Sequence, residues 1–441
     1  MMKKIMVFIS RVFVISLLFS FISVNTAIAA ETIKIGAVLP LADITGKDAS
    51  RSMQLAVKQI NATGGLLGKQ VELVLADDEN KPDKVAAAIE KLVNVDKVDV
   101  IVGGTGNATT MEAIPVLKKY AKVTVWSGAS SAKVDQALED QDWFFHIHPW
   151  DYELGAYYEK MWQVIVQKYP EIKRKKTFVA YREDPFGSDI LSVGSPVARA
   201  YLNVMQGEAY TTEPVSNLKE ILSSAKNFVE PDIFIWEGSD KDAVLILEEA
   251  KNIGFAPPVY LGKTLLWPLD FGKQMGSEGV MFYSYWHESM KLRNKACLAY
   301  VEAFNKEFKE SPVTYFGPLA YTNIMIVANA VKRAGSLERG ALIKALEATN
   351  YDSPLGDNFV FVRSLGVKHQ AGANPKLMQW QGGEVKIIWP WELATAKLIY
   401  PFPAQGFNKE AISEEKAPAA PPVPAAKKSA AKSAPAAKTK K

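Results

Sequence analysis

Apolar and polar positions follow two periods along residues 31–130. Four short runs are apolar throughout or alternate strictly, as strands do: 32–40, 69–78, 98–104 and 121–128. Between these runs apolar residues return every three or four positions, for example at Met53, Ala56 and Ile60, which predicts amphipathic helices. Strands that alternate with helices at this spacing predict a parallel sheet with right-handed crossovers.

The same pattern begins again near residue 176. Further strands are predicted at 176–181, 207–212, 231–238, 257–263 and 277–286. Helices are predicted at 242–255, 293–310, 321–335 and 338–350, and short β-like pieces follow up to about residue 400. A chain of 441 residues is long enough for two such units. The sequence therefore predicts an α/β protein with two doubly wound parallel-sheet lobes.

The amino-terminal residues 1–30 do not share this pattern. Lys3, Lys4 and Arg11 come first, an apolar stretch follows, and small residues provide an A-x-A site at Ala27–Ala29. This order is typical of a cleaved secretory signal, and an uncleaved membrane anchor is the alternative. The single cysteine, Cys297, lies far from the cleavage site, so we predict neither lipid attachment nor an internal disulfide.

The net charge of +4 is distributed unevenly along the chain. The tail from Ala417 onward holds six lysines and no acid, and the signal holds three basic residues, so residues 31–416 carry a net charge of −5. A nucleic-acid-binding protein would carry its positive charge on the folded body, so this class is excluded. The tail is built from Ala, Pro, Lys and Ser and is predicted not to fold. It is either solvated or a basic tether to anionic lipid or cell-wall polymer.

The loop GGTGNAT (103–109) joins the third predicted strand to a helix. Thr109 and Glu112 fit a capping box, which predicts that this helix begins near Thr110. Free amides and the helix dipole favour an anion at such a place. Neither G-x-G-x-x-G nor a P-loop is present, so no cofactor is expected. The chain also lacks a G-x-S-x-G elbow, and His146 and His148 lack a third metal ligand. We therefore predict a binding protein and no enzyme.

The amino-terminal part of the predicted body resembles periplasmic solute-binding proteins of the branched-chain amino-acid type. The resemblance rests on G-A-V-x-P-L, a glycine at 46, A-V-x-x-I-N-x-x-G-G, a strand ending in Asp-Asp, and Pro82 opening the next helix. It extends less specifically to about residue 400. It implies two lobes joined by three hinge crossovers, a ligand cleft between the lobes, and delivery of the solute to an ABC-type permease.

The resemblance also implies which positions face the ligand. Asn107 stands where the family usually offers a serine to the ligand carboxylate. The other matching positions are Thr45 in the first loop, Ala129, Ser130 and Ser131 after the fourth strand, and Phe186 in the second lobe.

The second lobe departs from the family pattern for amino-acid binders. Thr264 lies in the stretch where the family brings an acid to the ammonium group, and Ser239 lies near a usual aromatic position. Glu237 is the nearest acidic candidate, and an outward-facing Glu237 would leave a buried ammonium unpaired, which is costly. Five tryptophans near predicted strand ends or hinges suggest an aromatic-lined cleft: Trp126, Trp150, Trp236, Trp267 and Trp286. Trp236 and Trp267 are therefore included among the predicted ligand contacts.

The resemblance gives the following divisions: signal 1–30, lobe 1 at 31–148 and 286–360, lobe 2 at 149–285 and 361–400, and a C-terminal extension at 401–441. Hinges are expected near His148–Trp150, Phe282–Trp286 and Val360–Arg363. The predicted function is periplasmic capture of a small amino acid, carboxylate or amide by lobe closure, for an ABC importer. A sensory module of the same fold and an amidase or hydrolase are the alternatives.

Overall fold

A computed structural model describes residues 31–173, 175–183, 203–212, 215–238, 240–262 and 278–401, without the side chains of 155, 156, 212, 240 and 241. The predicted signal and the lysine-rich tail lie outside these residues. Within them, no helix is long and apolar enough to cross a bilayer.

The strands are short, and seven of the sixteen described are buried at every residue. In chain order those described are β1 (Ile33–Leu39), β2 (Val71–Asp77), β3 (Val100–Gly103), β4 (Thr124–Trp126), β5 (Phe144–His146), β6 (Lys176–Arg182), β7 (Asn203–Thr212), β8 (Val215–Ser216), β9 (Ile233–Glu237), β10 (Val259–Gly262), β11 (Met281–Ser284), β12 (Tyr351–Asp352), β13 (Asn358–Phe359), β14 (His369–Gln370), β15 (Lys376–Gln381) and β16 (Glu384–Trp389).

The α-helices lie between these strands, as the apolar periodicity predicted. Those described are α1 (Ile44–Ala62), α2 (Pro82–Asn94), α3 (Asn107–Tyr120), α4 (Ala132–Ala137), α5 (Asp151–Lys168), α6 (Leu218–Ser224), α7 (Asp240–Asn252), α8 (Lys295–Phe308), α9 (Phe316–Ala334) and α10 (Arg339–Glu347). Single turns of 3₁₀-helix occur at Pro170–Ile172 and Glu288–Leu292, and a π-helical turn occurs at Ala225–Val229.

The first sheet is parallel throughout, in the order β14-β5-β4-β3-β1-β2. Helices cover both of its faces, so its strands are apolar on both sides. On β1, Ile35 and Ala37 belong to the core shared with α1 and α9, whereas Val38 packs with α2 and α3. The predicted α/β class with parallel sheets is confirmed.

The second sheet has the order β16-β15-β11-β10-β9-β6-β7-β8. Its central strands are parallel, while β15, β16 and β8 run antiparallel to their neighbours. The sequence analysis missed β14 and β16, because two-residue strands and a final hairpin carry little periodicity. It also missed helix α5, although its buried residues recur at helical spacing.

The chain passes three times between the described strands of the two sheets, at 147–150, 285–294 and 371–375. The first two passages lie at or beside the predicted hinges. The third lies later than the predicted Val360–Arg363, because His369–Gln370 pair in parallel with Phe145–His146 in the first sheet. Ile147, Tyr285 and Trp286 at the passages belong to one hydrophobic core that extends into both sheets.

Helix α1 begins at Ile44, earlier than the apolar periodicity predicted, because Asp43 caps it. The Asp43 carboxylate accepts from the backbone amide of Thr45 at 2.9 Å. Further along α1, one carboxylate oxygen of Asp48 accepts from the amide of Thr314 at 2.8 Å and its hydroxyl at 2.9 Å. Burial raises the pKa of Asp48 to about 6.

Two buried histidines lie at the first passage. Burial lowers the pKa of His146 to about 4 and that of His148 to about 3, so both rings are neutral at pH 7. Nε2 of His148 lies 3.1 Å from the Tyr315 hydroxyl and its Nδ1 lies 3.1 Å from the Pro149 carbonyl. Because a carbonyl only accepts, Nδ1 carries the proton and Tyr315 donates to Nε2.

Acidification from pH 7 to pH 5 is expected to lower the free energy of unfolding. The unfolded histidines take up protons below about pH 6.5, whereas the folded rings do not, and the loss is about 2 kcal/mol for each ring at pH 5. Asp48, whose folded pKa is raised, works in the opposite direction and offsets about 1 kcal/mol. Urea denaturation at both pH values measures the loss, which should be smaller in His148→Gln. An equal loss in both proteins would contradict the assignment.

Candidate ligand-binding site

The loops after β3 and β4 meet at the carboxyl edge of the first sheet, backbone against backbone. A Cβ at Gly128 would lie 2.4 Å from both Cα and N of Thr105, so only glycine allows this approach. Gly104 has φ of +81°, and a Cβ there would overlap the Trp126 indole at 2.0 Å. These glycines bring the two loops to one place at the sheet edge, where open α/β sheets bind ligands.

Helix α3 begins at Asn107 without a side-chain cap, so the predicted capping box is wrong. The Thr109 and Thr110 hydroxyls instead donate back to the carbonyl of Gly106, at 3.2 and 2.6 Å. Within the described residues, the amides of Asn107, Ala108 and Thr109 have no acceptor. Uncapped amides and the helix dipole make this end of α3 suited to an anion.

Asn107 acts within the protein. Its side-chain oxygen accepts from the backbone amides of Ser130 and Ser131, at 2.7 and 3.1 Å. Asn107, which the resemblance placed against a ligand carboxylate, therefore joins the two loops. The Asn107 amide oxygen occupies two donors that an anion would otherwise use.

The other first-lobe candidates also make their contacts within the protein. The Thr45 hydroxyl donates to Asp43 at 3.0 Å, and the Ser131 hydroxyl caps α4 by accepting from the amide of Lys133 at 3.3 Å. Ala129 is buried with φ of +75°, a left-handed conformation that is strained for alanine. Ser130 accepts from the amide of Asp151 at 2.8 Å through its carbonyl, which connects this loop to the first passage.

Thr105 is a polar residue at this edge that the sequence analysis missed. Its hydroxyl is buried and has no hydrogen-bond partner in the part of the chain that the structure describes. The amides of Gly128 and Ala129, next to it, likewise lack an acceptor among the described residues. Its place inside TGNA, directly before the helix, was the available signal. Thr105 is a candidate for the site because its backbone lies directly against Gly128 in the neighbouring loop.

Glu237 ends β9 and is only 5% exposed, so it faces inward. Its negative charge, together with that of Asp151, contributes to a pKa of the buried Tyr158 far above the usual range, for which burial is the main cause. Tyr158 therefore lies near the carboxylates of both the second sheet and the first passage.

The tryptophans are placed in the cores. Trp126, Trp150, Trp236 and Trp286 are each at most 3% exposed. The Trp126 indole donates to the Thr110 hydroxyl at 2.9 Å, and Trp150 stacks on His146 with ring centroids 3.8 Å apart. These four rings pack the protein interior and do not form a cleft surface. Phe186, Ser239, Thr264 and Trp267 lie outside the described residues.

Replacing Asn107 by alanine is expected to destabilise the fold by about 1–3 kcal/mol, because two amides lose their acceptor. Asn107→Asp keeps an acceptor oxygen at the same place and is the matched control. Urea denaturation measures stability, and hydrogen exchange of Ser130 and Ser131 measures the local effect. The role of Asn107 as a clamp would be refuted by unchanged exchange in the alanine variant.

Comparison with known proteins agrees with this architecture. The model of the family described as "Periplasmic binding protein" matches residues 32–384. "Leu/Ile/Val-binding protein homolog 7" of Brucella abortus is 22% identical over 396 residues, covering 86% of this chain and 96% of that protein. A "leucine-, isoleucine-, valine-, threonine-, and alanine-binding protein" of Pseudomonas aeruginosa is 24% identical and covers 81% and 92%.

Solved structures share the fold. The branched-chain amino acid transporter substrate-binding protein LivJ of Streptococcus pneumoniae, in complex with isoleucine, has a TM-score of 0.66 at 21% identity and covers 84% of this chain and 100% of its own. A solute-binding protein of R. palustris, in complex with benzoate, has a TM-score of 0.65 at 19% identity and covers 81% and 96%. Because the family model covers most of the chain, this protein belongs to the periplasmic binding protein family.

Proposed function

We propose that this protein is the periplasmic solute-binding component of an ABC importer and that it captures a small molecule with a carboxylate end. One observation carries the proposal. Among the described residues, the uncapped start of α3 lies beside the buried hydroxyl of Thr105 and the amides of Gly128 and Ala129, none of which has a hydrogen-bond partner there. Hydroxyl and amide donors around a helix N-terminus suit a carboxylate.

The relatives support the class of solute. The matched proteins are named for binding leucine, isoleucine and valine, and the related structures hold isoleucine or benzoate. Both kinds of solute combine a carboxylate with an apolar body. Amino acids stay among the candidates, because the second lobe carries an acidic residue, Glu237, at the end of β9. Benzoate-like acids remain the other candidate class.

Binding would act by closure of two lobes and requires no chemistry. A solute that contacts both lobes only when they close favours the closed state by its differential affinity. We place the third connection after Gln370, so that lobe 1 comprises 31–148 and 286–370 and lobe 2 comprises 149–285 and 371–400. The protein would then deliver the solute to a membrane permease. A ligand-sensing module that reports to a receptor is the alternative with the same site.

The predicted signal and the lysine-rich tail suggest where the protein is located. We propose export by the amino-terminal signal, with cleavage after Ala29 or Ala30 and release as a protein without a lipid anchor. The six lysines of the tail would add contact with anionic lipid or cell wall.

A thermal-shift screen of refolded protein tests the proposed solute class. The panel holds L-leucine, L-isoleucine, benzoate, hexanoate and benzamide, each with and without added salt. A solute at about 100 times its Kd should add about 2.7 kcal/mol of stability. We expect stabilisation by at least one carboxylate. Stabilisation by benzamide alone, or by none of the five, would contradict the carboxylate site.

Thr105→Val is expected to weaken binding of that carboxylate about tenfold, since it removes one donor and keeps the side-chain volume. Thr124→Val is the matched control, because the buried Thr124 hydroxyl donates to the carbonyl of Lys122 on the same sheet. Calorimetric titration of both variants measures the two affinities. Equal affinities would remove Thr105 from the site.

A further inference from the structure

His146 has an acceptor at each ring nitrogen. Its Nδ1 lies 2.7 Å from the side-chain oxygen of Gln370, and its Nε2 lies 3.0 Å from the carbonyl of Gly128. Gln370 ends β14 immediately before the third passage, and Gly128 belongs to loop 127–131. The ring therefore stands between the hinge and the loop that the proposed function assigns to the solute.

The orientation of the Gln370 amide is fixed by its surroundings. Its nitrogen donates to the carbonyl of His148 at 2.9 Å, to the carboxylate of Glu153 at 3.0 Å and to the carbonyl of Ala371 at 3.1 Å. A rotated amide would place its oxygen against these three acceptors. The oxygen must therefore face His146, and both neighbours of the ring accept only.

The ring is neutral at pH 7. Burial lowers its pKa, although the side chain of Gln370, the backbone of Gly128 and Ala129, and the charge of Asp135 work in the opposite direction. Other titratable groups around it are His148, with ring centroids 6.4 Å apart, and Glu153, which is reached through Gln370. A neutral imidazole carries one proton, so it donates one hydrogen bond and presents a lone pair at the other nitrogen.

We propose that His146 is a positioning residue that makes its hydrogen bonds to the hinge and to the solute loop mutually exclusive. In the solute-free protein the proton is on Nδ1 and is donated to Gln370, where the contact is shorter. The Gly128 carbonyl then faces a lone pair, which leaves loop 127–131 free to adjust. A solute that draws the loop towards Nε2 favours the other tautomer and weakens the bond to Gln370. This inference rests on the proposed role of loop 127–131.

The hydrogen bonds around His146 and Gln370 also reach the first passage. The backbone carbonyl of His146 accepts from the amide of Ala371 at 2.8 Å, and Glu153 accepts from the amide of Trp150 at 3.0 Å. Trp150 stacks on the imidazole. A change at the His146–Gln370 contact is therefore transmitted to both chain segments that flank the hinge.

Gln370→Met tests this exclusivity in solute-free protein, because it removes the competing acceptor. We expect the proton of His146 to move to Nε2, which is read from side-chain ¹⁵N shifts of histidine-labelled protein. Loop 127–131 then gains a hydrogen bond, and exchange of its amides should slow about tenfold in a variant that is less stable overall. Gln379→Met is the matched control, since Gln379 is a buried glutamine that donates to Gly279 and Ile399, away from His146.

A purely structural role predicts the opposite sign, with faster loop exchange in both variants, and that result would overturn the proposal. The wild-type spectrum at pH 7 is a second test that does not depend on a variant's folding. Protonation at both nitrogens, or at Nε2 alone, would also overturn it. Because neither measurement uses a solute, the coupling can be confirmed even if the solute screen fails.

Discussion

The side-chain amide of Gln370 is the constraint on which the join between the two sheets depends. It contacts the first passage through His148, helix α5 through Glu153, the third passage through Ala371, and the first sheet through His146. A buried amide is costly unless its hydrogen bonds are made. The short strand β14 is thereby held in register against β5, and the chain is directed from there into the second sheet.

Around this join, one of the two apolar cores extends into both sheets. Tyr285, Tyr315 and His148 pack against each other at the second and first passages, with Tyr285 and Tyr315 ring centroids 4.8 Å apart. Any motion of the two proposed lobes has to occur in the three passages between the sheets, because dense side-chain packing resists deformation. His146, whose hydrogen bonds we propose to exclude each other, lies between loop 127–131 and the residue before the third passage.

Polar side chains at the carboxyl edge of the first sheet, where we propose that the solute binds, also make hydrogen bonds within the protein. Side chains that the resemblance placed against a ligand make contacts within the protein: the Asn107 oxygen accepts from two backbone amides, the Thr45 hydroxyl donates to Asp43, and the Ser131 hydroxyl caps α4. In the proposed site, this rigid support leaves backbone amides and the Thr105 hydroxyl for recognition. Preorganised amides at a helix start are effective because they need no rearrangement when an anion arrives.

The sequence by itself determined the periodic part of the molecule. Apolar spacing at Met53 and Val85 and the alternating strands define local structure, because burial of one face requires it. The first residue of α3, the role of Asn107, the pairing of His369–Gln370 and the burial of Trp126 were decided only by the tertiary structure. Each depends on a partner far away in the chain, such as Ser130 for Asn107 and Phe145 for His369, and local periodicity carries no information about such contacts.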